Sequence, residues 1–423
     1  MRKMALFGIL FILVALAGCR SEPQAVSFMV FGDPAEFAAY ESLVEAFEAA
    51  QDEVDVTLSH IPSQGDYRTK LATDFAAGTP PDVSLLSFRR AGAFIAAGQL
   101  EPLGPYLAES DVIAAEDFYP ITLESFTWND QLMCIPQNIS SLVVYYNRDL
   151  FTAAGVAEPA DDWTWNDFLA AAQALTQDTD GDGTIDQYGL GVEASLYRLA
   201  PFVWQNGGEI VDDAAFPTRL GLTLRPAQLA LEWFVALQTV HHVVPDRLAE
   251  ASQDSESRFV AGTTAMYLNS RRGTPTYRES AAFDWDIAPL PRGAQTAGVL
   301  HSDAYCLSAT ATNKDAAWRF IEFANSPEGQ TLVAQSGRTV PSLVAVAESE
   351  AFLDPAQRPA RSRVFLDTIP DLRLVPLLST WDEIEGTASE EIDRAFYGDI
   401  GVEEAAVLAR DRTEEYFALA ARP

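Results

Sequence analysis

Apolar residues along the chain change period several times, and each change predicts an element. Val26–Phe31 is a nearly unbroken apolar run and predicts a strand. Asp33-Pro34-Ala35-Glu36 then opens a helix: Asp33 can cap it, Pro34 suits the first turn and Glu36 sits at the reciprocal capping position. Phe37, Tyr40, Val44 and Phe47 follow at helical spacing as one buried stripe. Val54, Val56 and Leu58 alternate as a strand, and a helix from about Tyr67 stops at Gly78. Pro80-Pro81-Asp82 leads into the apolar run Val83–Phe88, typical of a buried, mostly parallel strand. Strand and helix in alternation predict an α/β unit.

The stretch Leu132–Phe151 interrupts this rhythm. Leu132–Ile135 and Leu142–Tyr146 read as strands, separated by the polar step Pro136, Gln137, Asn138, Ser140 and Ser141. Proline cannot donate to a ladder, and short polar side chains satisfy backbone groups outside a sheet. The step is either a passage between two domains or an ordinary strand–loop–strand. Beyond it the α/β pattern restarts. Thr164 caps a helix carrying Phe168, Leu169, Ala172 and Leu175, and a strand follows at Gln187–Val192. A helix near Leu199–Gln205 ends at Asn206-Gly207-Gly208, and Arg225-Pro226 opens another that buries Leu229, Trp233 and Leu237. Strands at Ala265–Asn269, Trp285–Leu290 and Tyr305–Leu307, then the helix Ala316–Ala324, another from Ser326-Pro327 and an acidic helical tail from about Ser389, complete the chain.

Length supports this two-unit reading, because 423 residues exceed a single core. The net charge of -33 argues against nucleic acid and against anionic lipid surfaces as partners. Arg2 and Lys3, the apolar run Ala5–Leu16 and Leu16-Ala17-Gly18-Cys19 read as a lipoprotein signal, residues 1–18, with Cys19 lipidated and residues 19–25 as a tether. That places the chain on the outer face of a bacterial cytoplasmic membrane, cell surface or periplasm, and leaves Cys134 and Cys306 where a disulfide can persist. Two buried free thiols are the alternative.

The residues give little support to catalysis. The four histidines (His60, His241, His242, His301) show no metal-protease spacing, and there is no G-x-S-x-G elbow or Walker loop. A non-enzyme with no catalytic cofactor is expected; an exported carbohydrate-active enzyme is the rival class. Asp178-Thr179-Asp180-Gly181-Asp182-Gly183-Thr184-Ile185-Asp186 matches the start of a calcium loop, but Gly189 stands where the bidentate Glu belongs. A structural Ca2+ held by Asp178, Asp180, Asp182, Thr184, Asp186 and Gln187 is expected, because crowded carboxylates repel without a cation. A solvated acidic turn is the alternative.

Taken in order, FGDPAEFAAYESLVEAFEAAQDEVDV, DYRTKLATDFAAGTPPDVSLLS, LMCIPQNISSLVVYYNRDLFTAAGV, DDWTWNDFLAAAQALTQDTDGDGTIDQYGL, FVWQNGGEIV, RFVAGTTAMYLNS and AYCLSATATNKDAAWRFIEFANSPEGQ resemble extracellular solute-binding proteins of family 1, the carbohydrate-binding lipoproteins of ABC importers related to maltose-binding protein. The resemblance implies a two-lobed α/β fold of the type II periplasmic-binding-protein kind. Each lobe would be a mostly parallel sheet flanked by helices, with sugar captured in the cleft by hinge closure. Lobe one would be residues 26–138 plus 305–340, and lobe two 142–302 plus 341–423. Hinge segments would lie at 137–141, 301–304 and 338–342. It also implies that Cys134 and Cys306 lie side by side near the hinge, which favours their disulfide, and that a monomer delivers its solute to ABC permease subunits.

Within that fold, loops at the carboxyl ends of strands supply the ligand contacts. The expected binding residues are Asp33, Glu36, Gln64, Asp66, Phe88, Arg89, Gln137, Asn138, Asn269, Arg271, Ser302, Asp303 and Arg338, with His301 nearby. Trp204, Tyr267 and Trp381 would supply flat apolar walls for a sugar. Trp163, Trp165, Trp233 and Trp318 fall in helical stripes and belong to cores. A polyamine, phosphate ester or iron chelate is the alternative solute, left open by Arg89, Arg271 and Arg272.

Overall fold

The apolar run after Gln24 is central because both of its edges are covered. In the computed structural model, which describes residues 23–422, it forms the strand Gln24–Phe31. Val54–Ile61 and Val83–Ser87 pair with it in parallel, in the registers Val26↔Val56 and Phe28↔Val83. Asp303–Leu307 and then Cys134–Pro136 extend this first sheet, both antiparallel. The second sheet has the order Trp285–Ala288, Val143–Asn147, Thr264–Asn269, Tyr188–Gly191, and only its last pair is parallel. Both sheets are therefore mixed rather than mostly parallel. The βαβ crossovers give parallel neighbours, while strands arriving from the other lobe enter in the opposite sense.

Local chemistry starts the helices where expected. Asp33 accepts the Glu36 amide at 2.9 Å and caps Pro34–Ala50, which buries Tyr40, Leu43, Val44 and Phe47. Thr164 and Asp167 form a capping box on Trp165–Leu175. The helix Arg225–Thr239 buries Leu231, Phe234 and Leu237 but leaves Leu229 exposed, with Trp233 stacked on Trp165 at 4.3 Å.

The polar step after Pro136 is a passage between the lobes. Ile139 donates to the Val340 carbonyl (2.9 Å), Ser140 and His301 exchange backbone hydrogen bonds (2.8 and 2.9 Å), and Gln137 donates to the Asp303 carbonyl (2.8 Å). Three chain segments thus run side by side at the waist. The third does not cross at 338–342. Ser342 Oγ bonds the Pro136 carbonyl at 2.6 Å, and the helices Val344–Ala347 and Glu350–Leu353 pack near Pro327–Gln335. The chain reaches the second lobe further on, where the Arg361 amide meets Asp286 at 3.0 Å. Lobe one therefore extends past residue 340, because Leu343, Val346, Ala347 and Phe352 find burial there.

Cys134 and Cys306 face each other across adjacent antiparallel strands and form a disulfide. The tail is the helix pair Trp381–Phe396 and Val402–Leu419, packed on each other and on Leu196–Gln205 and Arg225–Thr239. The same tail touches lobe one. A side chain at Gly92, in the helix Phe88–Ala96, would overlap the Leu378 carbonyl, so the approach requires glycine. Among the described residues no helix is long and apolar enough to cross a membrane. Residues 1–22, with the signal and Cys19, lie outside the described residues.

Candidate ligand-binding site

Between the two sheets and under the tail helix lies a cavity of about 850 Å3. The lobe-one wall starts where the first strand ends. Gly32, at φ +130°, leaves room for the Glu36 carboxyl, which folds back over it. Arg338 reaches Asp33 and Glu36, each at 2.5 Å. Burial is the dominant influence on Glu36 and, despite that cation, pushes its pKa up to about 7. Behind this wall the Gln137 amide nitrogen donates to the Tyr40 and Tyr305 hydroxyls, both at 2.8 Å. Asn138 accepts the Asp303 amide at 3.0 Å, and burial raises the Asp303 carboxyl above its usual range.

The lobe-two wall comes from the loop after Tyr188–Gly191 and from the waist. Ser195 caps the helix Leu196–Gln205, whose first turn carries Tyr197 and Arg198 into the cavity. Ser140, Ser270, Arg272 and His301 continue the wall. The Arg89 guanidinium lies 3.7 Å from the Tyr197 ring centroid, and the His301 ring packs at 4.7 Å from Tyr197. His301 Nε2 is buried without a partner. Burial, then the nearby Arg198, Arg89 and Arg272 charges, hold its pKa well below the usual value, so the ring is neutral.

The tail helix supplies the roof through Glu385, Gly386, Ser389, Glu390 and Asp393. Glu385 ion-pairs with Arg89 and Arg90 and accepts the Trp381 indole N–H at 3.1 Å. Burial alone would raise its pKa, but the two guanidiniums reverse that and hold the carboxyl below the usual range. Asp382 pairs with Arg90 and with Arg68 (3.0 Å). These pairs join lobe-one arginines to a helix seated on lobe two.

Of the residues expected from the sequence, Asp33, Glu36, Gln64, Arg89, Asn138, Ser302, Asp303 and Arg338 line the cavity, as does His301. The others do not. Asp66 sits in the exposed first turn of Gln64–Ala77, its amide capped by Ser63. Phe88 is core, edge-on to Phe126. Gln137 is locked one layer back. Asn269 is bonded to Tyr277 (2.7 Å) and Glu256 (3.0 Å), and Tyr267 packs on Phe259. Arg271 is buried between Phe352 and Phe365 and donates to the Gly337 carbonyl and Ser362. Trp204 is buried under the Arg373 guanidinium, and Trp381 stands behind Glu385. None of the three expected aromatic walls faces the cavity.

Sequence reasoning missed Tyr197, Arg198 and the roof carboxylates, and singled out Arg272 only for a charged alternative solute; it lines the cavity. Ser195 and Arg198 follow a strand end, so the rule that selected Asp33 could have found them. Nothing local announces Glu385, which is brought in by a helix from the far end of the chain.

In the acidic loop, carboxylate oxygens of Asp178, Asp180 and Asp186 lie within 4.8 Å of one another. Asp178 also accepts the Gly181 and Gly183 amides, and Asp186 accepts the Thr179 amide. Asp182 is outside this triad and accepts the Thr184 amide, and the Gln187 side chain turns inward to the Leu175 carbonyl. Three of the expected side chains therefore fit a common cation.

A family profile described as bacterial extracellular solute-binding protein matches residues 32–331. A putative binding protein of Brucella abortus is 26% identical over 371 residues, covering 85% of each chain. Among solved structures, an ABC substrate-binding protein of Listeria monocytogenes in complex with cycloalternan superposes with a TM-score of 0.86 at 23% identity, covering 94% of this chain and 99% of that one. A Mycobacterium tuberculosis binding protein in complex with glycerophosphocholine superposes with a TM-score of 0.81 at 22% identity, covering 94% and 98%. The fold is thus common to a protein crystallised with cycloalternan and one crystallised with glycerophosphocholine.

Proposed function

The chain belongs to the bacterial extracellular solute-binding proteins, and from that premise we propose that it captures a sugar or oligosaccharide between its lobes and hands it, unchanged, to the permease subunits of an ABC importer. The observation that carries this reading is the cavity itself. Its polar lining comes from strand ends of both sheets at once, from Asp33, Asn138 and Asp303 on one side and from Ser195, Ser270 and Arg272 on the other. A solute touching both walls stabilises the closed arrangement by its differential contacts. Driving the lobes from almost fully open to almost fully closed requires roughly 10⁴-fold tighter binding to the closed form.

Titration calorimetry against mono- and oligosaccharides, with small-angle scattering on the same samples, tests the reading. Saturable heat with compaction and intact sugar supports it; release of fragments from any of them overturns it. The reading includes a monomer, checked by light scattering, and a lipid anchor at Cys19, checked by fatty-acid labelling that Cys19→Ala abolishes. It also includes a Ca2+ on Asp178, Asp180 and Asp186, whose removal by chelator lowers the melting temperature; an unmoved melting temperature removes the ion from the picture.

A further inference from the structure

We propose that the lobe-two wall contains an anion subsite built from Arg198, Arg272 and His301, so that the captured solute is a sugar or polyol carrying one carboxylate or phosphate group. The proposal rests on the reading of the cavity as the solute site. It starts from which cations in the cavity already have partners. Arg338 is held by Asp33 and Glu36, and Arg89 and Arg90 are held by Glu385 and Asp382. Arg198 is different. It is 6% exposed, its Nη2 lies 3.4 Å from a Glu193 that is 63% exposed, and its Nε is buried with no partner. A buried guanidinium with an empty donor is costly unless something fills it.

His301 Nε2 is the second buried, unpartnered polar atom on this wall. The charges of Arg198, Arg89 and Arg272 act on this ring and make its surroundings electropositive. Arg272 lines the same cavity and is exposed in its 3.2 Å pair with the half-buried Glu256, which also accepts from Tyr277 and Asn269. A pair open to solvent on the arginine side holds weakly, and Glu256 keeps its other partners, so Arg272 is free to turn to a better anion. Ser140, Ser195 and Ser270 surround the position with small polar groups that suit oxygen-rich ligands.

The aromatic lining points the same way. The lining residues include Phe31 and Tyr197, Phe31 is buried, and one face of Tyr197 carries Arg89. Among the described lining residues, Tyr197 is thus the aromatic ring left for a neutral pyranose, and one of its faces is already taken. The opposite wall, with Asp33, Gln64, Asn138 and Asp303, suits hydroxyls. A polyol anion would therefore lie with its charge on lobe two and its hydroxyls on lobe one, touching both.

Calorimetry at low salt with matched pairs tests this: glucose against glucuronate, gluconate and glucose 6-phosphate, and glycerol against glycerol 3-phosphate. At least one anion is expected to bind ten- to a hundredfold tighter than its neutral counterpart, as charge-assisted bonds imply. Preference for glucuronate or for a phosphate distinguishes the two anion sources. Arg198→Gln is expected to weaken the anion far more than its neutral counterpart, bringing the ratio of their affinities to about one. Should Arg198→Gln fold poorly, Arg272→Gln and competition by inorganic phosphate read the same subsite. Neutral sugars binding as tightly as their acids, with compaction in scattering, would overturn the anion subsite and leave solute capture standing. No binding and no compaction with any compound, oligosaccharides included, would overturn both.

Discussion

Glu36→Gln isolates the cost of keeping a carboxyl under the cleft. In the folded chain the pKa of Glu36 is about 7, against an ordinary 4.5. Below pH 4.5 both folded and unfolded states hold the proton. As pH rises from 4.5 to 7 the unfolded state releases it and the folded state keeps it, so folding loses stability. Each pH unit in that window costs about 1.4 kcal/mol, giving about 3 kcal/mol in total, constant above pH 7. His301 acts in the opposite sense: its folded pKa lies well below 6.5, so its contribution is lost as pH falls below 6.5. The wild-type profile therefore mixes opposing slopes, and the difference from Glu36→Gln cancels the histidine. Urea unfolding followed by tryptophan fluorescence at pH 4.5, 5.5, 6.5 and 7.5 gives that difference. The wild type should lose about 3 kcal/mol relative to the variant across the series. Asp303, whose pKa is also raised by burial, slopes both profiles in the same direction as Glu36 and so cancels in the difference as His301 does. A difference that is flat, or that grows in favour of the wild type with pH, would show that Arg338 outweighs burial.

Reduction of Cys134–Cys306 opens a cross-link between residues 172 apart, and the chain-entropy estimate for so long a loop is about 5 kcal/mol. The melting temperature should fall with reductant and in Cys306→Ser alike; no fall in either would show that the waist strands hold without the bond. Glu385→Gln leaves Arg89 and Arg90 largely buried with their common carboxylate gone, and should cost about 3 kcal/mol in urea unfolding. A loss below about 1 kcal/mol would show that the interlobe pairs are solvated. Trp204→Phe should lower stability by about 1–3 kcal/mol and leave solute affinity unchanged, because the indole is core. A tenfold loss of affinity at unchanged stability would return Trp204 to the site.

What could be read from the sequence was what short-range physics determines. The Asp33 cap, the Thr164 capping box and the alternation in Val54–Ile61 each follow from neighbours a few residues away, and each holds in the fold. Loops at strand ends were legible for the same reason, which is why Asp33, Asn138 and Asp303 meet in one cavity. How deep a side chain sits was not legible. Trp204 shares a helix with Tyr197, but it lies seven residues further along, about 10 Å down the axis, beyond the cleft. Arg271 and Arg272 are neighbours, yet one is clamped between two phenylalanines and the other lines the cavity.

Charge shows why composition could not identify the solute. The chain carries 61 acidic and 28 basic residues, a balance that speaks only of the surface as a whole. Against that balance, Arg89, Arg90, Arg198, Arg272 and Arg338 converge on one cavity. Guanidiniums withdrawn from water need partners, and Asp33, Glu36, Asp382 and Glu385 supply them to Arg338, Arg89 and Arg90. Each of those carboxylates is spent within the protein, and the carboxylate that lines the lobe-two wall, Glu193, is paired with Arg198 while 63% exposed. Arg198 keeps a donor that no side chain fills, and Arg272 keeps a pair that is open to solvent on its own side. What this wall can receive is therefore set locally, by which pairs close, and the open donor of Arg198 suits an anion whatever the charge of the whole chain.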